Sequence, residues 1–314
     1  MKIMYTIILA CAIVLTTAAG LAQTAEEYSN MAMKAITVMD YSSAVKILNK
    51  GLSEDPGNFE MLLARGNVFL EMEKYDKARA DFDAVLHLDS NVVDANLGLS
   101  KYYRFTNRPD SAIYFALRGV SISPDNFQRS RSKIYLAEGY RAYSRDSLAL
   151  VYLREGLGDD STNVSGYKQA ADISISNGDF EAAYQYLQLA NIYLLDDMEN
   201  LINLAYVANM LEYNREALEY CNQALNLDPQ QPLALSNRAN AYLQLNQLEL
   251  AEGDIQKSLT NYKSNPMAHR IAGEIYYAQG KESKACKHFR DAKKLGYTEL
   301  YGDFVDTRLV SVCD

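Results

Sequence analysis

MENLINLAYVANMLEYNREALEYCNQALNLDP, running from Met198 to Pro229, carries two amphipathic periods in succession. Leu201, Leu204, Ala205 and Ala208 share one face at the three-and-four spacing of a helix, and Ala217, Leu218, Cys221 and Ala224 repeat the pattern. Between the two lies polar Glu212-Tyr213-Asn214-Arg215, and Asp228-Pro229 follows, where the missing amide hydrogen and fixed φ stop a helix. The unit is a helical hairpin. Ala205 and Ala217 are small where its two helices must cross, so the backbones can approach closely. A hairpin this size cannot bury both its sides alone and needs neighbours of its own kind.

Those neighbours are marked by the alanines. A small residue in the context of Ala217 recurs at Ala44, Ala78, Ala112, Ala149, Ala183, Ala251 and Ala285, at intervals of 34 residues except for 37 between Ala112 and Ala149. A second column keeps the same intervals through Ala32, Gly66, Ser100, Ala137, Ala171, Ala205, Ala239 and Gly273. Eight hairpins follow, at about 25–58, 59–92, 93–129, 130–163, 164–197, 198–231, 232–265 and 266–297. Tyr28, Met31 and Ala35 are expected to face the second helix of the first. The three extra residues fall within Asp125 to Ser132, at the junction of the third and fourth hairpins, which predicts an added helical turn or a longer loop near Phe127.

This pattern resembles the tetratricopeptide repeat family, best seen in Leu235-Ser-Asn-Arg-Ala-Asn-Ala-Tyr242 and Glu216-Ala-Leu-Glu-Tyr-Cys-Asn-Gln-Ala224, with closing prolines at Pro56, Pro124 and Pro229. The family's large anchor is Tyr167 in one repeat but Lys133 and His269 in others. The resemblance implies an all-α, right-handed α-solenoid without catalytic activity, whose first helices line a concave groove for a protein or peptide. In that register the groove would expose Asn67, Leu70, Lys101, Arg104, Arg131, Arg141, Lys168, Tyr206, Asn209, Asn240, Arg270 and Tyr277. Five cations on neighbouring first helices could hold an acidic peptide by charge-assisted hydrogen bonds. The alternative is a solvated face of mixed charge, since Asp94, Glu138 and Asp172 share it.

After the last hairpin, residues 298–314 place Leu300, Tyr301, Phe304, Val305 and Leu309 in one amphipathic capping helix. Cys286 follows the crossing alanine, where other repeats carry Val45, Ile113, Leu150 and Leu218 to pack on the next element; here that element is the cap, with Cys313 at its end. A Cys286–Cys313 disulfide would staple the cap to the array; two packed free thiols are the alternative. Cys221 shares a core position with Phe82 and Phe289 and reads as a buried thiol.

Lys2, the apolar run Ile3 to Leu15 and the small-residue exit Gly20-Leu-Ala22 form an expected secretory signal peptide over 1–22, too short to span a bilayer comfortably. Ile8-Leu-Ala-Cys11 looks like a lipobox, which would make Cys11 a lipid anchor; simple cleavage is preferred because the apolar core continues through Ala12 to Leu15. The expected location is periplasmic or secreted. A net charge of −9 over 314 residues is a poor match for nucleic acid. No phosphate loop, His-Glu-x-x-His, Cys-x-x-Cys or Gly-x-Ser-x-Gly motif occurs, so no cofactor, metal or catalytic residue is expected. His288 and Cys286, two apart on a helix, point away from one another, and His269 reads as a packing residue. The function expected is a protein-binding scaffold. The second reading is a carbohydrate-binding or accessory component of a cell-envelope uptake or assembly system, for which 24 tyrosines offer stacking surfaces.

Overall fold

The computed structural model describes residues 24–313, and among these every regular element is a helix. The expected leader and Cys11 lie outside the described residues. Among the described residues no helix is long and apolar enough to cross a membrane.

The chain forms two compact units, one ending at Asp160 and one beginning at Ser161. The first contains four hairpins: α1 (Ala25–Thr37) with α2 (Tyr41–Glu54), α3 (Phe59–Glu71) with α4 (Tyr75–Leu88), α5 (Val93–Phe105) with α6 (Pro109–Ile122), and α7 (Asn126–Arg141) with α8 (Asp146–Asp159). The second contains α9 (Val164–Ser176) with α10 (Phe180–Tyr193), α11 (Met198–Met210) with α12 (Asn214–Leu227), α13 (Pro232–Gln244) with α14 (Leu248–Asn261), and α15 (Pro266–Ala278) with α16 (Glu282–Lys294). Two short helices, α17 (Tyr297–Tyr301) and α18 (Phe304–Cys313), complete it. Successive first helices lie against one another through the first unit and from α11 onward in the second, as α3 does on α5 and α13 on α15, whereas second helices touch chiefly the first helices on either side. The first helices thus form one side of each unit.

Every alanine of the second-helix column is fully buried. In the first-helix column the small residue is matched to the side chain it meets. Gly66 faces Phe82, where a Cβ would come within 2.7 Å of the ring, and Gly273 faces Phe289 still more closely. Alanine suffices where the equivalent second-helix residue is Leu48, Leu153, Leu187, Cys221 or Ile255. Ser100 stands opposite Ala116 and donates its hydroxyl to the Ala112 carbonyl at 2.9 Å, so this buried polar atom is satisfied. One further contact recurs in both units: Arg65 grips the Asp81 carboxylate with two nitrogens at 2.7 and 2.9 Å, and Arg238 grips Asp254 at 2.6 and 3.0 Å. Each guanidinium also reaches an asparagine of the preceding hairpin, Asn49 or Asn222, and so ties three helices with one planar group.

The hairpin turns share one device that no single residue type reveals. A residue with positive φ stands at Met39, Glu73, Asn107, Ser144, Gly178, Glu212, Asn246 and Gly280. It lets the next amide return to a carbonyl five residues back, from Asp40 to Ala35 and at each later turn through Lys281 to Tyr276, at 2.8–3.0 Å.

The extra residues near Phe127 lengthen a helix: α7 has 16 residues where other first helices have 13, and Phe127 is 58% exposed in its first turn. Met31 does not face α2. It is 41% exposed because the crossing falls at Ala32, one position round the helix. The expected single capping helix is two, broken at Gly302 with φ +91°. Only Val305 of its expected apolar stripe is fully buried, beside half-buried Leu309, and Leu300 is 66% exposed.

Cys286 and Cys313 are joined in a disulfide, with Cα atoms 5.5 Å apart. Closing this 27-residue separation contributes about 3–4 kcal/mol in the chain-entropy account. The cap is also held by Lys293, whose Nζ lies 2.7 Å from Asp306, and by Thr298, whose hydroxyl donates to Asp306 at 2.6 Å. These two contacts hold the Asp306 carboxyl below the usual carboxylate range.

Two measurements check this packing. Gly273→Ala must push against Phe289 and should cost about 1–3 kcal/mol in denaturant unfolding. Gly253→Ala, mid-helix with nothing within 4 Å of an added Cβ, should instead stabilise by about 0.5–1 kcal/mol. Equal signs for the two would contradict the close crossing. For the cap, the wild type should melt above Asp306→Asn at neutral pH. A carboxyl with a depressed folded pKa contributes above its unfolded value, near 4, and that contribution fades as pH falls through the lower folded value. The gap should accordingly close below about pH 4; a gap independent of pH would show the two contacts to be idle.

Candidate interaction surface

The first-helix side of the first unit carries Asn67, Lys101, Arg104, Arg131 and Arg141, and most of these cations are already engaged. Lys101 Nζ lies 2.8 Å from Glu71, Arg104 Nε 3.1 Å from Glu138, and Arg131 Nη2 2.8 Å from Asp94. Each pair joins one first helix to the next. Lys101, Arg104 and Arg131 are thus each neutralised by a carboxylate one repeat away. Asn67 and Arg141 are exposed. Leu70 is not: it is 2% exposed and packs with Phe69, Phe82 and Leu99, because α3 rolls that position toward α5.

Exposed rings on this side are overlain by guanidinium groups. The Arg104 guanidinium carbon lies 4.6 Å from the Phe105 ring centre, and that of Arg131 5.7 Å from Phe127. Such contacts hold flat apolar groups in place at a wet surface.

On the first-helix side of the second unit, Lys168 bonds Glu199 at 2.6 Å and approaches Asp197 at 3.5 Å. Burial lowers its pKa, but the hydrogen bond to Glu199 and the charge of Asp197 outweigh that, so the net shift is upward. Tyr206 packs edge-on against Phe180, and burial raises its phenol pKa. Asn209 donates to the Asn237 carbonyl at 2.9 Å, while its Oδ1 is buried with no partner among the described residues. Asn240 is only 8% exposed, because Arg270 reaches its Oδ1 at 3.5 Å, and so it does not stand open to a ligand as its register implied. Arg270 is half-buried beneath Phe304, with the ring centre 5.6 Å away.

The cap contributes to this surface as well as closing the last hairpin. Arg308 of α18 forms a two-pronged pair with Glu274 of α15 at 2.7 and 2.9 Å and lies over the rings of Tyr277 and Phe304, each at 5.3 Å. Tyr277, Tyr301 and Phe304 remain exposed around it. Sequence reasoning missed this patch, since it assigned the cap's aromatics to packing; the glycine at Gly302 was the available signal that the apolar stripe would not continue.

Cys221 is fully buried and its thiol is pushed up to about 12 by burial, which makes it inert. The histidines hold a second surprise. His269 of α15 and His288 of α16 meet with their Nδ1 atoms 3.0 Å apart, and Asp291 stands one turn beyond His288, its Oδ2 3.9 Å from His269 Nδ1. Burial, and then the neighbouring His269, push the His288 imidazole down to about 4, so it is neutral at physiological pH. The sequence cue was His288-x-x-Asp291 on one helix face, not the pairing with Cys286. Beside His288 opens a cavity of about 490 Å³, also lined by Ile255, Leu259 and Tyr276.

Comparison with known proteins agrees with this architecture. The chain is 20% identical over 308 residues to the BBSome complex member BBS4 of Bos taurus, covering 87% of this chain and 58% of that protein. It is 35% identical over 123 residues to the peptidyl-prolyl cis-trans isomerase FKBP4 of Bos taurus, covering 38% of this chain and only 24% of that one. Among solved structures, the APC/C hetero-tetramer Cut9-Hcn1 superposes with a TM-score of 0.61 at 16% identity, over 86% of this chain and 53% of the other, a likeness of fold alone. The chain thus spans less than two thirds of each relative's length. The tetratricopeptide repeat profile matches residues 63–127, 202–266 and 236–296. With the columns of small residues and the hairpins they mark, these matches show that the chain belongs to the tetratricopeptide repeat family, whose repeats generally build protein-interaction scaffolds rather than catalytic sites.

Proposed function

We propose that this chain is an exported, non-catalytic scaffold whose first-helix faces hold a segment of another protein. The observation that carries the reading is the set of exposed rings fixed by arginines on rigid helices: Phe105 with Arg104, Phe127 with Arg131, and Tyr277 and Phe304 with Arg308. Aromatic and arginine side chains are the types that dominate interface energetics. Their helices are ordered before binding, so the receptor loses little freedom on contact. The partner is a segment with apolar anchors and flanking acidic residues. Its acids would pair with exposed Arg141, and elsewhere would compete with Glu71, Asp94 and Glu138 for cations already engaged, which makes charge a selector more than a source of affinity. Export is supported by the apolar leader and by the Cys286–Cys313 bond, since disulfides persist in oxidising compartments.

A second reading, binding of carbohydrate, is favoured by one observation: Tyr277, Tyr301 and Phe304 are exposed rings clustered at one end of the second unit. Pull-down with cross-linking from the native cell envelope, using the mature chain as bait, separates the two. The wild type should capture a protein partner whose recovery falls at least about tenfold, the loss expected from one interface anchor of 1.4 kcal/mol or more, in a Phe105→Ala/Phe127→Ala or a Tyr277→Ala/Phe304→Ala variant. Undiminished capture by both variants would contradict the first-helix assignment. Binding on a glycan array, lost only in the second variant, would favour the alternative.

A further inference from the structure

We propose that His269, His288 and Asp291 form a binding site for a divalent late first-row transition-metal ion, with Zn²⁺ as its representative. The three come from the two helices of one hairpin, and one ligand atom from each lies within 4.8 Å of the others. The two Nδ1 atoms, 3.0 Å apart with the rings aimed at one another and centroids 5.2 Å apart, come within reach of one ion at a Zn–N length of about 2.0–2.1 Å once both rings turn so that their lone pairs converge on it. Asp291, three residues after His288 on the same helical face, supplies the carboxylate with a side-chain rotation. Two imidazoles and one carboxylate suit zinc, nickel, cobalt or copper better than calcium or magnesium, which prefer oxygen.

The surroundings set the chemistry of the site. His269 Nε2 lies 3.0 Å from the Lys263 carbonyl, which can only accept, so Nε2 carries the proton and Nδ1 presents a lone pair. That is the outer contact by which ligating histidines are oriented. Without metal, His288 donates its Nδ1 proton to this lone pair. On metal binding that proton leaves Nδ1, another is taken up at Nε2 from water, and the ring stays neutral with no net proton release. Tyr276, stacked on His288 with centroids 5.4 Å apart, fixes the ring plane. The adjoining cavity gives water access to the coordination positions that the protein does not fill. Lys284 and Lys287 add positive charge on the same helix. Asp291 opposes it, and its loss should therefore weaken binding markedly.

The test uses the full chain, free of affinity tags and stripped with chelator, titrated with Co²⁺ in the visible region and then with Zn²⁺ as competitor. The expected result is saturable one-to-one binding, reversed by Zn²⁺ and weakened at least about tenfold by His288→Gln and by Asp291→Asn, with His87→Gln unchanged. In the unsubstituted protein, which contains three histidines, Co²⁺ should broaden the imidazole proton resonances of His269 and His288 and spare His87. Absence of saturable binding, or broadening of all three histidines alike, would overturn the site even if a variant failed to fold.

Discussion

The closest approach of two helices in each hairpin governs the rest of the structure. Where α11 crosses α12, Ala205 and Ala217 are both fully buried, and larger side chains would hold the backbones apart. The same crossing recurs through every hairpin of both units. Because it brings the first and second helices together at a fixed place, it also fixes which residues of the first helices turn inward and which meet the next repeat. Gly66 and Gly273 show how narrow the tolerance is: the first-helix residue loses its last carbon where the opposing residue is Phe82 or Phe289.

From that constraint comes a surface on which most of the cations are already engaged. Lys101, Arg104, Arg131 and Lys168 each reach a carboxylate one repeat along, so the basic cluster visible in the sequence is a set of ties between neighbouring hairpins. Exposed pairs of this kind add little stability one at a time. They do orient the guanidinium groups that lie over Phe105 and Phe127, and this links the packing of the repeats to the chemistry offered to a partner.

Much of the fold was legible because an alanine at a crossing is a letter that can be counted. The repeat spacing, an insertion near Phe127 and the proximity of Cys286 to the end of the cap follow from that count, but the insertion belongs to α7, so the fourth hairpin begins at Asn126 and not at 130. What escaped is physical in each case. The left-handed turn position is filled by Met39, Glu73, Asn107, Ser144, Glu212 and Asn246, residues with no common chemistry, and only Gly178 and Gly280 betray it. The ion pairs join residues about 30 to 37 apart, which requires the angle between successive first helices as well as their register. Leu70 and Asn240 were assigned to open surface on register alone, and it was the neighbouring helix in one case and Arg270 in the other that covered them. His269 and His288 lie 19 residues apart on two helices, and only the crossing at Gly273 and Ala285 brings their rings together.

The crossing itself is open to direct measurement by hydrogen exchange and mass spectrometry on a chain carrying Ala205→Leu. A leucine at that place has to separate α11 from α12, and the account predicts loss of amide protection through both helices, while α3 and α4 keep theirs. Unchanged protection in α11 and α12 would mean that the helices do not meet at their small residues, and the repeat architecture built on that contact would fall.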